Sequence, residues 1–175
     1  HLIHTLSLHD ALPILAPMLG AFMKSGENFE IVDGGYCDVK FDKEAKKATY
    51  KINKDLTWSD GVPVTSDDLI FVYESVANKD YAGIRFDSDY RNVVGIEEYN
   101  KGTAETISGL NKIDDKTLEV SFKKYYPGIL WGAGLTFNAE PKHYLKDIPI
   151  EEMESHDKEI GRASCRERVW IKCRS

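Results

Sequence analysis

The sequence predicts a mixed α/β fold, an α+β arrangement in which β-hairpins alternate with short helices. Three observations lead there. Residues 37–53 (CDVKFDKEAKKATYKIN) and 104–124 (AETISGLNKIDDKTLEVSFKK) alternate apolar and polar side chains with a period of two, the mark of half-buried strands. Residues 68–78 (DLIFVYESVAN) carry apolar side chains at helical spacing. Glycine, proline and aspartate separate these stretches.

In the first hairpin, Val39 and Phe41 alternate on one strand and Ala48, Tyr50 and Ile52 on the other, around a charged DKEAKK loop. Asp60-Gly61 then marks a turn, and Pro63 stiffens its exit. Thr65 reads as a helix N-cap with Asp68 three residues on. That is a capping-box start with acids at the positive end of the helix. Leu69, Val72, Tyr73 and Val76 form one apolar face, and Ile70 and Phe71 widen it, so this helix is expected to be buried on more than one side. VVGIEEYNKG reads as a short helix stopped at Gly102. In the second hairpin Leu118, Val120 and Phe122 alternate beyond an Asp114-Asp115-Lys116 turn. Short helices are expected near Pro127, Pro141 and Pro149, because proline suits a first helical turn.

The two ends differ from this body. HLIHTLSLHDALPILAPMLGAFM lacks the positive start of a secretory signal, and Asp10 and Pro13 interrupt it as a membrane span. The tail EIGRASCRERVWIKCRS holds Arg162, Arg166, Arg168 and Arg174, whereas the body holds only Arg85 and Arg91; the tail also holds Cys165 and Cys173. Thr5 to Ile14 can be written ACT CTT TCC CTA CAC GAC GCT CTT CCG ATC. The reverse complement, read from its second base, encodes Ile-Gly-Arg-Ala-Ser-Cys-Arg-Glu-Arg-Val, which is Ile160 to Val169 in order. One DNA segment read in opposite directions can therefore encode both ends, and it resembles a sequencing-library adapter; the alternatives are a basic tail or a zinc-type Cys pair. Residues 1–14 and 159–175 are accordingly expected to be non-native, leaving 15–158 as the body.

The whole chain has a formal net charge of −6, and removing the basic tail makes the body more acidic still. An acidic body without a Lys/Arg run argues against nucleic acid and against peripheral attachment to anionic lipid. Cys37, the body's single cysteine, excludes an internal disulfide framework and a CxxC site. Ser66-Asp67-Asp68 and Glu97-Glu98 supply paired carboxylates, but helix-start acids on a solvated face account for them. Gly132 to Gly134 lacks the G-x-G-x-x-G spacing of a phosphate loop. Ser108 has no nucleophile elbow around it. His143 and His156 lie far apart, without metal-ligand spacing. No catalytic residue, metal or cofactor is expected. Tyr81, Phe86, Tyr90, Tyr125, Tyr126, Trp131 and Phe137 cluster between the hairpins; most should be core, and some could line an extended cleft.

LTWSDGVPVTSDDLIFVYESV resembles the signature of the extracellular solute-binding proteins of family 5, the oligopeptide-binding group of peptide ABC importers. Trp58, Asp60, Gly61, Pro63, Val64, Thr65, Asp68, Leu69 and Phe71 match the pattern, and Ser66 stands where alanine is usual. KDYAGIRFD, GIEEYNKGTAETISGL, DDKTLEVSF and AEPKHYLKD are similar to further segments of the Gram-positive lipoprotein members. The motif is a turn followed by a helix cap, so Trp58, Asp60, Gly61, Pro63, Thr65 and Asp68 are expected to fold the chain rather than touch ligand.

The resemblance implies a partial lobe of the type II periplasmic-binding-protein kind and, for a full-length protein, a two-lobed receptor. That receptor would hold extended oligopeptides mainly through their backbones and present them to membrane permease subunits. It would sit lipid-anchored on the extracellular face. This chain corresponds to a piece of the first lobe, without signal or lipobox. Its hairpins are expected to lack partner strands and leave open edges. Tyr81, Arg85, Phe86 and Phe137 are expected nearest the cleft, because they lie in loop-like parts of the matching region. Two other readings stand beside this one: a standalone surface-interaction or adhesion module, and a relative binding nickel or haem. A hydrolase has no supporting constellation.

Overall fold

The structure is a computed structural model that describes residues 23–27, 30–53, 56–58, 60–83, 85–132, 139–150 and 171–173. Two short strands, β1 (Lys24–Ser25) and β2 (Ile31–Val32), pair antiparallel ahead of the main sheet. The first hairpin is β3 (Cys37–Asp42) and β4 (Lys47–Ile52), and the second is β6 (Leu110–Asp114) and β7 (Thr117–Ser121). Both form where the alternation places them. Ala48, Tyr50, Ile52, Leu118 and Val120 are buried on one face of the sheet, which carries the main core.

The hairpins, expected from the sequence to lack partner strands, do not. They pair with each other. Strand β4 runs antiparallel to β7 with Tyr50 opposite Leu118 and Ala48 opposite Val120, giving a four-stranded sheet of order β3-β4-β7-β6. Within this sheet only β3 and β6 are edges. The reason is shared patterning: the period-two apolar faces of both hairpins must point the same way to be buried together.

Helix α1 (Ser66–Val76) packs its Leu69, Val72, Tyr73 and Val76 into that core. Its wider apolar side is used as the sequence implies. Phe71 joins Leu145 and Ile148 in a second small cluster on the other flank. The helix start is tied to the β6–β7 turn by the Ser66 hydroxyl, which donates to the Asp114 carbonyl at 2.7 Å, and by the Ser66 amide, which donates to Asp115 at 2.9 Å. A single 3-10 turn (Tyr90–Asn92) and helix α2 (Ile96–Asn100) follow. Gly102, with φ +72°, ends α2 as expected. Helices α3 (Ile129–Gly132) and α4 (Lys142–Leu145) lie just after Pro127 and Pro141. The helix expected after Pro149 lies, beyond Ile150, outside the described residues.

Strand β5 (Leu56–Trp58) precedes α1 and pairs antiparallel with β8 (Ile171–Cys173), a strand within the tail set aside on sequence grounds.

Candidate functional site

Strand β5 and α1 are joined by the Trp58–Thr65 segment, which makes a tight reversal. The Gly61 amide donates to the Trp58 carbonyl at 3.0 Å and the Trp58 amide to Val62 at 2.8 Å. Gly61 sits at φ +90°, a conformation that glycine alone adopts without strain. Asp60 caps the turn by accepting the Val62 amide at 3.0 Å, and Pro63 bridges back to Thr57.

Asp68 closes the reversal. Its carboxylate accepts the Thr65 amide at 2.8 Å, the Trp58 indole Nε1 at 3.2 Å and the Lys142 amide at 2.9 Å. The capping box read from Thr65 and Asp68 is therefore present. Asp68 is only 4% exposed, however, so it does not lie on the solvated face expected of a helix-start acid. It carries the motif's link to α4. A second link runs outside it, where His143 Nε2 lies 2.8 Å from Asp60 Oδ2 and the His143 ring sits 6.4 Å from that of Trp58. The Asp60 carboxyl is held below its usual range. Slight burial works against this, and the His143 hydrogen bond, the Val62 amide and the His143 charge outweigh it.

After α1, residues 78–83 and 85–89 are loop, held by side-chain to backbone hydrogen bonds. The Asn78 side chain accepts the Asp80 amide at 2.9 Å, and the Asp87 side chain accepts the amides of Asp89 at 2.9 Å and Tyr90 at 3.2 Å. Three of the expected cleft residues are described, and all three are half-buried. Tyr81 and Phe86 pack against the main core, and the Arg91 guanidinium stands 5.0 Å from the Phe86 ring centroid. Arg85 lies close enough to Tyr90 and Glu140 for its charge to act on both. Phe137 lies outside the described residues.

Sequence reasoning missed one member of this region, Glu140. Its Oε2 is buried without a hydrogen-bond partner, and burial pushes its carboxyl up to about 7, opposed by the Ser75 hydroxyl and by Arg85. Tyr90, fully buried against Tyr73 at 5.7 Å between ring centroids, is pushed up to about 12. Burial is the main cause, Arg85 opposes it, and Glu140, Tyr81 and Asp87 add to it. Burial, then the hydrogen bond and charge of Asp89, also raise Tyr126. Nothing in the string AEPKHYLKD marks Glu140 as buried, because it is brought onto α1 by the Asp68 contact to Lys142 two residues later. Arg85, Tyr81 and Glu140 thus lie near enough to Tyr90 for their charges to act on it. Among the described residues there is no group of three or more His, Cys, Asp or Glu side chains that could hold a metal ion.

A family model described as bacterial extracellular solute-binding proteins, family 5, matches residues 38–163. The chain is 39% identical over 142 residues to the oligopeptide-binding protein OppA of Lactococcus lactis subsp. cremoris, covering 78% of this chain and 23% of that protein. In three dimensions it is similar to lactococcal OppA complexed with an endogenous peptide in the closed conformation. The TM-score is 0.74 at 36% identity, covering 82% of this chain and 28% of that one. The oligopeptide-binding protein AppA from Bacillus subtilis, in complex with a nonapeptide, shares the fold at a TM-score of 0.59 and 24% identity, over 79% of this chain and 24% of that one. The chain spans about a quarter of the length of these curated relatives.

Proposed function

The chain belongs to the bacterial extracellular solute-binding proteins of family 5, and on that premise we propose that it is a first-lobe piece of an oligopeptide receptor serving an ABC importer. The observation that carries the reading is the agreement of sequence and fold with lactococcal OppA, a structure that holds a peptide. In the full-length protein the receptor captures extended peptides and delivers them to membrane permease subunits, without catalysing a reaction. It works at the extracellular face of the membrane through a lipid anchor. Residues 15–158 are the receptor's contribution to this chain, and the inverted-DNA relationship assigns 1–14 and 159–175 to a foreign segment. Resequencing the source DNA by a different library chemistry tests that assignment.

Tyr81, Arg85, Phe86 and Phe137 are proposed to lie nearest the peptide. Arg85 has the clearest chemistry, as a half-buried cation whose charge reaches Tyr90 and Glu140. It is suited to a peptide carbonyl or carboxylate. The test is calorimetric titration of the full-length receptor with a peptide mixture, followed by the Arg85→Ala variant. Saturable binding that weakens at least tenfold in the variant supports the reading. Absence of any bound peptide in the full-length protein overturns it.

A further inference from the structure

Glu140 is an inward-pointing acid that peptide capture does not by itself explain, and the fold fixes its position. The Glu140 amide donates to the Asp68 carbonyl at 3.5 Å and the Lys142 amide to Asp68 Oδ1 at 2.9 Å. The backbone on both sides of Pro141 is thus pinned to the first turn of α1. The Glu140 side chain ends inside the protein, where Oε2 is buried without a hydrogen-bond partner. A carboxyl in that position is costly while charged and far less so once it takes a proton.

Few groups surround it. From α1 the Ser75 hydroxyl favours the charged form. On the same helix Asp68 is engaged by the Lys142 amide, and Glu74 pairs with Lys142 Nζ at 3.4 Å. From the loop after α1, Arg85 also favours the charged form, and from the 3-10 turn Tyr90 lies within reach of the Glu140 charge. Tyr90 is pushed up to about 12 and keeps its proton near neutrality. Arg85 is half-buried, and among the described residues it makes no ion pair, with Glu140 or with any other acid. Its neighbours in the loop are otherwise occupied. Asp87 Oδ1 takes the amides of Asp89 and Tyr90, Asp89 acts on Tyr126, and Arg91 stands over the Phe86 ring.

Burial pushes Glu140 up to about 7, so its charge changes around neutrality. Once ionised, it has two ways to regain a partner. Releasing residues 139–150 from α1 gives up both Asp68 contacts, the Lys142–Glu74 pair and the packing of Phe71 with Leu145 and Ile148. Rotating the long Arg85 side chain toward Glu140 gives up none of these, so that response prevails. We infer that Glu140 is a proton-controlled partner of Arg85: protonated, it leaves the guanidinium open to ligand, and ionised, it draws the guanidinium onto itself. The inference deepens the oligopeptide reading and rests on it for the ligand, a peptide carbonyl or carboxylate that competes with Glu140 for Arg85. Peptide binding therefore tightens as pH falls through about 7.

Two measurements test this. The first needs no ligand: nuclear magnetic resonance of the whole chain follows the Glu140 carboxyl carbon and the Arg85 Nε–H between about pH 5.5 and about pH 8.5. Both signals are expected to move together with a midpoint near about 7, and Glu140→Gln should hold the Arg85 signal still. An Arg85 signal that ignores the Glu140 titration overturns the inference, as does a Glu140 midpoint near the ordinary 4.5. The parent's paired titration decides the matter should Glu140→Gln fail to fold. The second is calorimetric titration of the full-length receptor with an alanine peptide bearing a free carboxyl terminus. The parent should bind about tenfold more tightly at about pH 6 than at about pH 8, and Glu140→Gln should bind equally at both. If Arg85→Ala weakens binding while parent and Glu140→Gln share one pH profile, the inference fails. If Arg85→Ala leaves the affinity unchanged, the placement of Arg85 beside the peptide fails instead, and the resonance titration still reports on the pair.

Discussion

The Lys142 amide donates to Asp68 Oδ1 at 2.9 Å, so a carboxylate in the first turn of α1 holds the start of α4, 74 residues further along the chain. The same carboxylate accepts the Trp58 indole and the Thr65 amide through Oδ2. One buried side chain therefore ties together a turn, a helix cap and a distant helix.

Replacing that side chain should be costly. Asp68→Ala leaves three donors without their acceptor in a site only 4% exposed, so a loss of roughly 3 kcal/mol or more is expected. Urea denaturation measures it, and a loss below about 1 kcal/mol would show that water replaces the carboxylate freely.

The outer link at Asp60 should matter far less. It is a partly exposed pair, so Asp60→Asn is expected to cost under about 1 kcal/mol at neutral pH. The folded carboxyl titrates below its unfolded value, so its contribution is present above that value and is lost as pH falls through the folded one. Stability curves of parent and variant should converge below about pH 4. A gap that widens in acid would contradict the assignment.

Glu140 works in the opposite sense. Its carboxyl is raised from 4.5 to about 7 by burial, so the folded state binds its proton more tightly than the unfolded chain does. The contribution is fully present below the unfolded value and is lost as pH rises toward and through about 7. Glu140→Gln should remove that decline and leave the variant more stable than the parent at about pH 8, by up to roughly 3 kcal/mol. Thermal melts across pH would sink the idea if the variant were the less stable of the two in alkali.

Gly95 is a backbone requirement. It sits at φ +76°, and a Cβ there would lie 2.7 Å from the Ser108 amide nitrogen, in the turn leading into β6. Gly95→Ala should destabilise the chain by about 1–3 kcal/mol, against a gain of under 1 kcal/mol at an unstrained position. Denaturant midpoints for both chains provide the check.

What could be read from the sequence was what local patterning determines. The alternation of Val39, Phe41, Ala48, Tyr50 and Ile52 specifies a hairpin by itself. The Thr65-x-x-Asp68 start specifies where α1 begins, and Gly102 where α2 stops. Other features depend on which elements meet. The pairing of β4 with β7 and the burial of Asp68 and Glu140 both join residues far apart in sequence. No local period or spacing encodes them. The neighbourhood of Arg85, Tyr81, Tyr90 and Glu140 was half legible. Tyr81 and Arg85 lie in loop-like sequence that invites attention, whereas the last member arrives through the Asp68 contact.

The junction of β4 with β7 also bears on how fast the chain can reach its native state. Each hairpin closes over a few residues and can form in microseconds. Opposing Lys51 to Thr117 requires first closing a long loop that contains all of α1 and α2, and that entropy is spent before any of the central pairing is gained. Docking of two preformed hairpins is therefore the expected slow step, and the order in which they leave the ribosome places the first hairpin in waiting until the second has been made.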